Sequence, residues 1–260
     1  MIQIGGVPFG GKDVPIIAGP CSIESEVQFN EIAKELKSMG IPILRGGLYK
    51  LRTNVESFQG LGRKAYPLVE QVTKEFDLPF VTEVTDPRQI EELLPFTQAF
   101  QVGTRNMYNY DLLKELGNHK TPVLLKRAFS ATYSEFLNAA EYVTSQGNSS
   151  VLLCERGIRT FVKETRNTFD INIIPFLKKN SHLPVIADPS HGTGESYMVL
   201  PVALAALAAG ADGLLIEVHN KPEEALSDGQ QAVTPEQMKS FLSQASTVLS
   251  SLGRNLHGRA

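Results

Sequence analysis

Three cations fall within eight residues at Arg45, Lys50 and Arg52, directly after a short apolar run, Pro42-Ile43-Leu44. Gly46 and Gly47 lie between them and let the backbone turn and approach a ligand closely. Arginine offers a planar fork matched to carboxylate and phosphate, and lysine a compact point charge. With Thr53 behind it, this stretch has the residue types of an anion grip. Arg105, Lys126, Arg127, Arg156 and Arg159 likewise stand at or just beyond the ends of apolar runs. The whole chain is nearly balanced, with 25 basic and 28 acidic residues and a net charge of −3. That balance argues against a nucleic-acid face and for a small polyanion held by locally concentrated cations.

A second set carries different chemistry. Cys21, His191, Glu217 and Asp228 each follow an apolar run, in Ala-Gly-Pro-Cys, Asp-Pro-Ser-His, Leu-Leu-Ile-Glu and Leu-Ser-Asp-Gly. A thiolate, an imidazole and two carboxylates suit a divalent transition ion such as Mn²⁺, Fe²⁺, Co²⁺ or Zn²⁺. Taken singly, Cys21 also reads as a buried thiol and His191 as a general acid–base residue. Cys21 and Cys154 are the two cysteines of the sequence, so no disulfide framework is implied. Glu83 and Asp188 close further runs and could orient cations or water. A cationic rim beside a divalent ion implies chemistry on phosphorylated, carbonyl-bearing small molecules. Aldol-type condensation, isomerisation and phosphoryl cleavage all stay open on these residues alone.

The elements that must position these groups repeat regularly. Eight near-continuous apolar runs begin near Val14, Pro42, Pro79, Ala99, Pro122, Ser150, Pro184 and Gly213. This is the pattern of strands buried on both faces of a parallel sheet. Helical patterns lie between them. Phe29, Ile32, Ala33 and Leu36 share one face behind a capping box of Ser25 and Gln28. Asp86-Pro87 and Thr234-Pro235-Glu236-Gln237 read as helix starts, and Gly40, Gly117, Gly147 and Gly210 as helix stops. Eight such units in 260 residues predict a (β/α)8 barrel, an α/β fold of about 250 residues. An open doubly wound sheet is the alternative, but it gathers ligands at one switch point, whereas here nearly every run ends in a reactive residue. Residues 1–12 read as a hairpin-like extension around Gly5-Gly6, and 13–260 as a single catalytic barrel. Gly6-x4-Gly11-Lys12 imitates a phosphate loop, but Asp13 replaces the required Ser or Thr and the motif precedes a strand. No signal-peptide pattern and no apolar run of membrane length is present, so the expectation is a cytoplasmic protein without membrane contact.

The motifs occur in an order that resembles one family. They are Ala-Gly-Pro-Cys-Ser-Ile-Glu-Ser (18–25), Arg-Gly-Gly…Lys-x-Arg-Thr (45–53), Ser-Phe-Gln-Gly-Leu-Gly (57–62) and Gly-Thr-Arg-Asn-Met (103–107). Leu-Leu-Lys-Arg (124–127), Cys-Glu-Arg-Gly-Ile-Arg-Thr (154–160), Asp-Pro-Ser-His (188–191), Ile-Glu-Val-His (216–219) and Ser-Asp-Gly-Gln-Gln (227–231) follow. Over residues 14–235 the chain resembles 3-deoxy-7-phosphoheptulonate (DAHP) synthases of the short, class I-beta-like bacterial and archaeal subfamily. These are related to 3-deoxy-octulosonate 8-phosphate synthases. The resemblance implies condensation of phosphoenolpyruvate with erythrose 4-phosphate and water, the first step of the shikimate route to aromatic amino acids. It also implies a bare catalytic barrel and a homo-oligomer, tetramer or dimer. Carried over motif by motif, Cys21, His191, Glu217 and Asp228 hold the metal, and Arg105, Lys126 and Arg156 the phosphoenolpyruvate phosphate. Arg45, Lys50 and Lys126 face its carboxylate, Arg52 and Thr53 take the aldose phosphate, and Lys50 and His191 are the expected proton carriers.

Three other readings stand beside this one. An octulosonate synthase would take arabinose 5-phosphate, but Lys-x-Arg-Thr and Asp-Pro-Ser-His favour the four-carbon sugar. A secondary-pathway variant would take another phosphorylated aldose, and a non-catalytic barrel would have no need for such charge clustering. The sequence departs from the family at Leu51 and Val55, where the usual Lys-Pro-Arg-Thr-Ser-Pro has prolines. Without their fixed φ the loop is expected to be more mobile and its aldose selectivity less constrained.

Overall fold

A computed structural model describes residues 1–52 and 54–258. Two short strands, β1 (Ile2–Ile4) and β2 (Val7–Phe9), form an antiparallel hairpin. After β3 (Asp13–Val14), eight parallel strands close into a barrel. They are β4 (Ile16–Gly19), β5 (Ile43–Arg45), β6 (Phe80–Val84), β7 (Ala99–Val102), β8 (Val123–Lys126), β9 (Val151–Glu155), β10 (Val185–Ala187) and β11 (Gly213–Glu217). Each neighbours the next in chain order, and β11 returns to pair with β4, Glu217 opposite Gly19. A final strand, β12 (Asn255–Leu256), pairs with β3. Every apolar run picked out in the sequence is therefore a barrel strand. Their residues are almost all buried because helices cover the outside while side chains fill the inside.

The helices are α1 (Glu26–Ser38), α2 (Tyr66–Phe76), α3 (Ile90–Leu93), α4 (Tyr110–Gly117), α5 (Tyr133–Thr144), α6 (Ile173–Asn180), α7 (Pro189–Thr193), α8 (Ser196–Ala208) and α9 (Pro235–Ser251). On α1 the face Phe29, Ile32, Ala33 and Leu36 is fully buried. Ser25 caps it by accepting from the Gln28 amide at 3.2 Å. The reciprocal arm of the box is displaced: Gln28 Oε1 accepts from the Glu24 amide at 3.1 Å, and its Nε2 donates to the Ser22 carbonyl. Asp86 and Thr234 make complete capping boxes. Gly40, Gly147 and Gly210 adopt positive φ after their helices, as stop residues do. Gly117 does not. It is the last residue of α4, and a Cβ there would lie 2.5 Å from the Val143 carbonyl of α5, so this glycine serves close helix packing.

The core divides into two. The larger part lies between strands and helices. The smaller fills the barrel interior, where inward-facing Ile17, Ile43, Val81, Leu124, Leu152, Ile186 and Leu215 meet Ile2, Ile4, Val7 and Phe9 of the hairpin. Gly5 abuts Pro79, Gly10 abuts Pro184, and the Phe9 ring lies over Gly213, all at strand starts. The extension is thus a plug for the N-terminal end of the barrel, leaving the C-terminal end open for chemistry. Phe9→Ala is expected to cost about 3–5 kcal/mol in denaturant unfolding while leaving substrate KM values unchanged. A loss below about 1 kcal/mol would show that the barrel floor does not depend on the hairpin.

Candidate active site

At the C-terminal rim a cavity of about 310 Å³ is lined by Lys50, Arg52, Glu83, Gln101, Arg105, Lys126, Phe129, Arg156, Arg166, His191 and Asp228, among others. Strand ends deliver Glu83 and Lys126 directly, while Lys50, Arg105 and Arg156 ride on the first residues beyond β5, β7 and β9.

His191 is placed by the local chemistry of Asp-Pro-Ser-His. Pro189 starts α7 at its first turn, and Asp188 caps it by accepting from the His191 amide at 3.0 Å. The same carboxylate faces His191 Nδ1 at 2.8 Å and Lys126 Nζ at 2.6 Å. Burial opposes its charge, yet His191 and Lys126 outweigh burial and hold Asp188 well below the usual carboxylate range. The Nδ1 contact fixes the tautomer: Nδ1 carries the proton and Nε2 presents its lone pair. Burial also pulls the His191 pKa down, against the attraction of Asp188 and Glu217.

His191 Nε2 points at Glu217 Oε1, 3.3 Å away. Cys21 Sγ donates to Asp228 Oδ2 at 3.2 Å, and one donor atom from each of these four residues lies within 4.8 Å of the others. Donors bound at roughly 2.0–2.3 Å from one ion sit about 3–4 Å apart, so this set fits a divalent transition ion with little adjustment. Asp228 reaches the group from a left-handed backbone conformation, φ 50°, which short polar side chains tolerate. Burial pushes the Cys21 thiol up to about 12, and the facing acids Glu217 and Asp228 add to it. Glu217 is held down to about 2, because His191 and Arg45 outweigh its burial.

Arg45 is engaged with the donor set. Its guanidinium is 3% exposed, does not line the cavity, and donates through Nη1 to Glu217 Oε1 at 2.7 Å. A buried carboxylate needs a paired cation, and Glu217 has taken this one. Arg127 also turns away from the rim, engaging Glu155 at 3.0 Å and Asp170 at 2.9 Å. Lys50 stays at the cavity, 3.9 Å from Glu83 Oε2. Burial lowers its pKa, but Cys21 and Glu83 outweigh that and raise it overall, so it is a cation. Arg52 lines the cavity from a loop with a closed neck. The Lys50 amide donates to the Gln59 carbonyl and the Gly62 amide to the Leu48 carbonyl, both at 2.9 Å. Gly60 in that neck has φ +93°, and a Cβ on it would collide with Leu48. The neighbouring expectation, Thr53, lies outside the described residues.

Arg166 was missed by sequence reasoning, since it follows no strand. It donates to Gln231 Oε1 at 2.7 Å and pairs with Asp228 Oδ1 at 3.3 Å, and Gln231 Nε2 donates to Glu217 Oε2 at 2.6 Å. The available signal was length: 17 residues separate β9 from α6, and loops of that size in a compact domain usually carry function.

A family profile described as the DAHP synthetase I family matches residues 3–252. The chain is 43% identical over 253 residues to phospho-2-dehydro-3-deoxyheptonate aldolase of Thermotoga maritima, covering 97% of this chain and 75% of the relative. It is 31% identical to a 2-dehydro-3-deoxyphosphooctonate aldolase of Bradyrhizobium diazoefficiens, over 90% of this chain and 89% of that one. A crystal structure of the Thermotoga maritima DAHP synthase superposes with a TM-score of 0.95 at 42% identity, covering 98% of this chain and 75% of that one. A truncated form from the same organism gives 0.91 at 40% identity and covers 94% of that chain.

Gln231→Leu removes the amide that orients Glu217 and Arg166. A Co²⁺ titration followed by absorbance is expected to show metal affinity about 10- to 100-fold weaker. An unchanged affinity would mean that Gln231 does not position the donor set.

Proposed function

This chain belongs to the DAHP synthetase I family, and from that premise we propose that it condenses phosphoenolpyruvate with erythrose 4-phosphate and water to give DAHP and phosphate, opening the shikimate route. The observation that carries this reading is one cavity shared by a phosphate-sized group of cations, Arg105, Arg156 and Arg166, and by two of the four metal donors, His191 and Asp228.

Cys21, His191, Glu217 and Asp228 would hold the divalent ion, which would supply Lewis acidity at the aldehyde oxygen. The rest is assigned to the chain's own side chains. Arg105, Arg156 and Arg166 receive the phosphate of phosphoenolpyruvate, and Lys126 and Lys50 its carboxylate. Arg52 takes the aldose phosphate, a role the resemblance extends to Thr53. Holding both anions aligns C3 of the enol phosphate with the aldehyde carbon. C3 adds to that carbon, water adds at C2, and phosphate departs with the C2–O bond, leaving a ketone. The new hydroxyl needs a proton and the water must lose two. Lys50, charged and at the cavity wall, donates to the hydroxyl; Glu83 beside it takes the first proton of the water and returns it to Lys50, and the second proton leaves with the phosphate. His191 is committed to the donor set by its Nδ1 contact with Asp188, so proton transfer falls to Lys50. Arg45, assigned by resemblance to the substrate carboxylate, instead holds Glu217 in place.

The protein works in the cytoplasm as a homo-oligomer in this reading. Among the described residues no helix is long and apolar enough to cross a membrane. Ser196–Ala208 contains no charged residue yet leaves Tyr197 69% exposed, which supports self-association through α8.

The test is phosphate release from phosphoenolpyruvate in the presence of Mn²⁺ and a panel of phosphorylated aldoses. Erythrose 4-phosphate is expected to exceed arabinose 5-phosphate by about tenfold or more in kcat/KM. Equal or greater turnover with arabinose 5-phosphate would instead support the octulosonate reaction named for the Bradyrhizobium relative. Chelator is expected to abolish turnover, and added metal is not expected to rescue Cys21→Ala. Full activity in chelator would remove the metal from the scheme.

A further inference from the structure

The buried cations at this rim are stabilised in two ways. Arg45, Lys126 and Arg127 each have a carboxylate within 3.0 Å, and the more exposed Arg166 has one at 3.3 Å. Arg156 is 2% exposed, yet Nη1 makes a long contact of 3.4 Å to the Gly157 carbonyl and Nε has no hydrogen-bond partner among the described residues. Burial pulls its pKa down to about 10 against the attraction of Asp188, with the nearby positive charge of Arg166 adding to the shift. What Arg156 does have is an aromatic ring. Its guanidinium carbon lies 5.0 Å from the centre of Phe129, which also faces Arg105 at 5.6 Å and Arg159 at 4.8 Å. Three guanidinium groups thus converge on one phenyl ring, and that ring forms part of the cavity wall.

We propose that Phe129 is a positioning residue for the phosphate of phosphoenolpyruvate. Its π face holds Arg105, Arg156 and Arg159 together while itself adding no negative charge. The physical reason lies in what a carboxylate would do in the same place. It would hold the arginines, but it would also occupy their N–H donors and cancel the charge a phosphate must meet. A phenyl face attracts guanidinium through its quadrupole and takes none of those donors. Backbone geometry fixes the ring relative to the cations: the Arg159 amide donates to the Phe129 carbonyl at 2.8 Å. That bond ties the turn after β8 to the turn after β9. Glu155 reinforces the second turn by accepting from the Gly157 amide at 2.6 Å. Phe129 touches no reacting atom in this scheme and acts through the arginines.

This inference rests on the assignment of Arg105 and Arg156 to that phosphate, so the test separates the two. Steady-state kinetics and competitive inhibition by inorganic phosphate are measured for the full chain and for Phe129→Leu and Phe129→Tyr, with thermal unfolding as a check of fold. Phe129→Leu keeps the apolar bulk and loses the π face. It is expected to raise KM for phosphoenolpyruvate and the inhibition constant of phosphate about tenfold, the value of one or two cation–π contacts. Its kcat and its KM for erythrose 4-phosphate should stay within about twofold of the parent, a margin small against the tenfold expected. Phe129→Tyr should restore phosphoenolpyruvate binding. A leucine variant with parental KM and phosphate inhibition would overturn the role of Phe129 while leaving the phosphate site intact. A tyrosine variant as impaired as the leucine one would also overturn it, by assigning the effect to ring packing. If the parent enzyme neither binds phosphoenolpyruvate nor responds to phosphate, the site assignment itself falls, and this inference with it.

Discussion

The Asp188 carboxylate is the constraint on which the rim depends. It is fully buried, and a buried charge is tolerated only when it is paired and hydrogen-bonded. Its partners are Lys126, the His191 ring and the His191 amide. Satisfying that one carboxylate orients a lysine at the cavity wall, selects the histidine tautomer and starts the short helix that turns His191 over the barrel mouth. The same logic spreads outward. His191 then faces Glu217, Glu217 requires Arg45 and Gln231, and Gln231 receives Arg166. The site is therefore a lattice of mutually dependent charges. Removing one member would leave its neighbours buried and unpaired, and breaking a buried pair in this way typically costs about 3–5 kcal/mol.

The barrel was legible in the sequence because each strand is buried on both faces and so is apolar throughout, whatever its neighbours are. All eight runs became strands for that reason. The convergence of Cys21, His191 and Glu217 was legible too, since each stands at or within four residues of a strand end, whereas Asp228 joins them from a loop eleven residues past β11. Direction was harder to read. A residue at a strand end can point up into the cavity or sideways into a neighbour, and the choice depends on which buried acid needs a cation. Arg45 and Arg127 turned sideways because Glu217, Glu155 and Asp170 lie there, information distributed over more than 100 residues of chain. Arg166 and Phe129 come from loops, where position follows from packing against other loops and leaves no periodic signal. Gly117 misled for a related reason. A helix-ending glycine and a helix-packing glycine look alike in sequence, and the approach of α5 to α4 decides which it is.

The hairpin and the rim divide the work between the two ends of the molecule. At the strand starts the barrel is closed by apolar side chains that make no demand on charge. At the strand ends the cavity is lined mainly by charged and polar groups. Buried charge at one end can be retained for function because ordinary hydrophobic burial at the other supplies the stability that an ion-paired core does not.

One consequence follows from where the barrel closes. The seam runs between the first barrel strand and the last, β4 and β11, and the chain ends pair across the same edge through β3 and β12. Cys21 stands just past one side of that seam, and Glu217 and Asp228 belong to the other. An ion shared by them would be a clasp across the joint, bridging parts of the chain that leave the ribosome about 200 residues apart. Because such a clasp can form only on the completed ring, metal uptake would report ring closure during biosynthesis as well as readiness for catalysis.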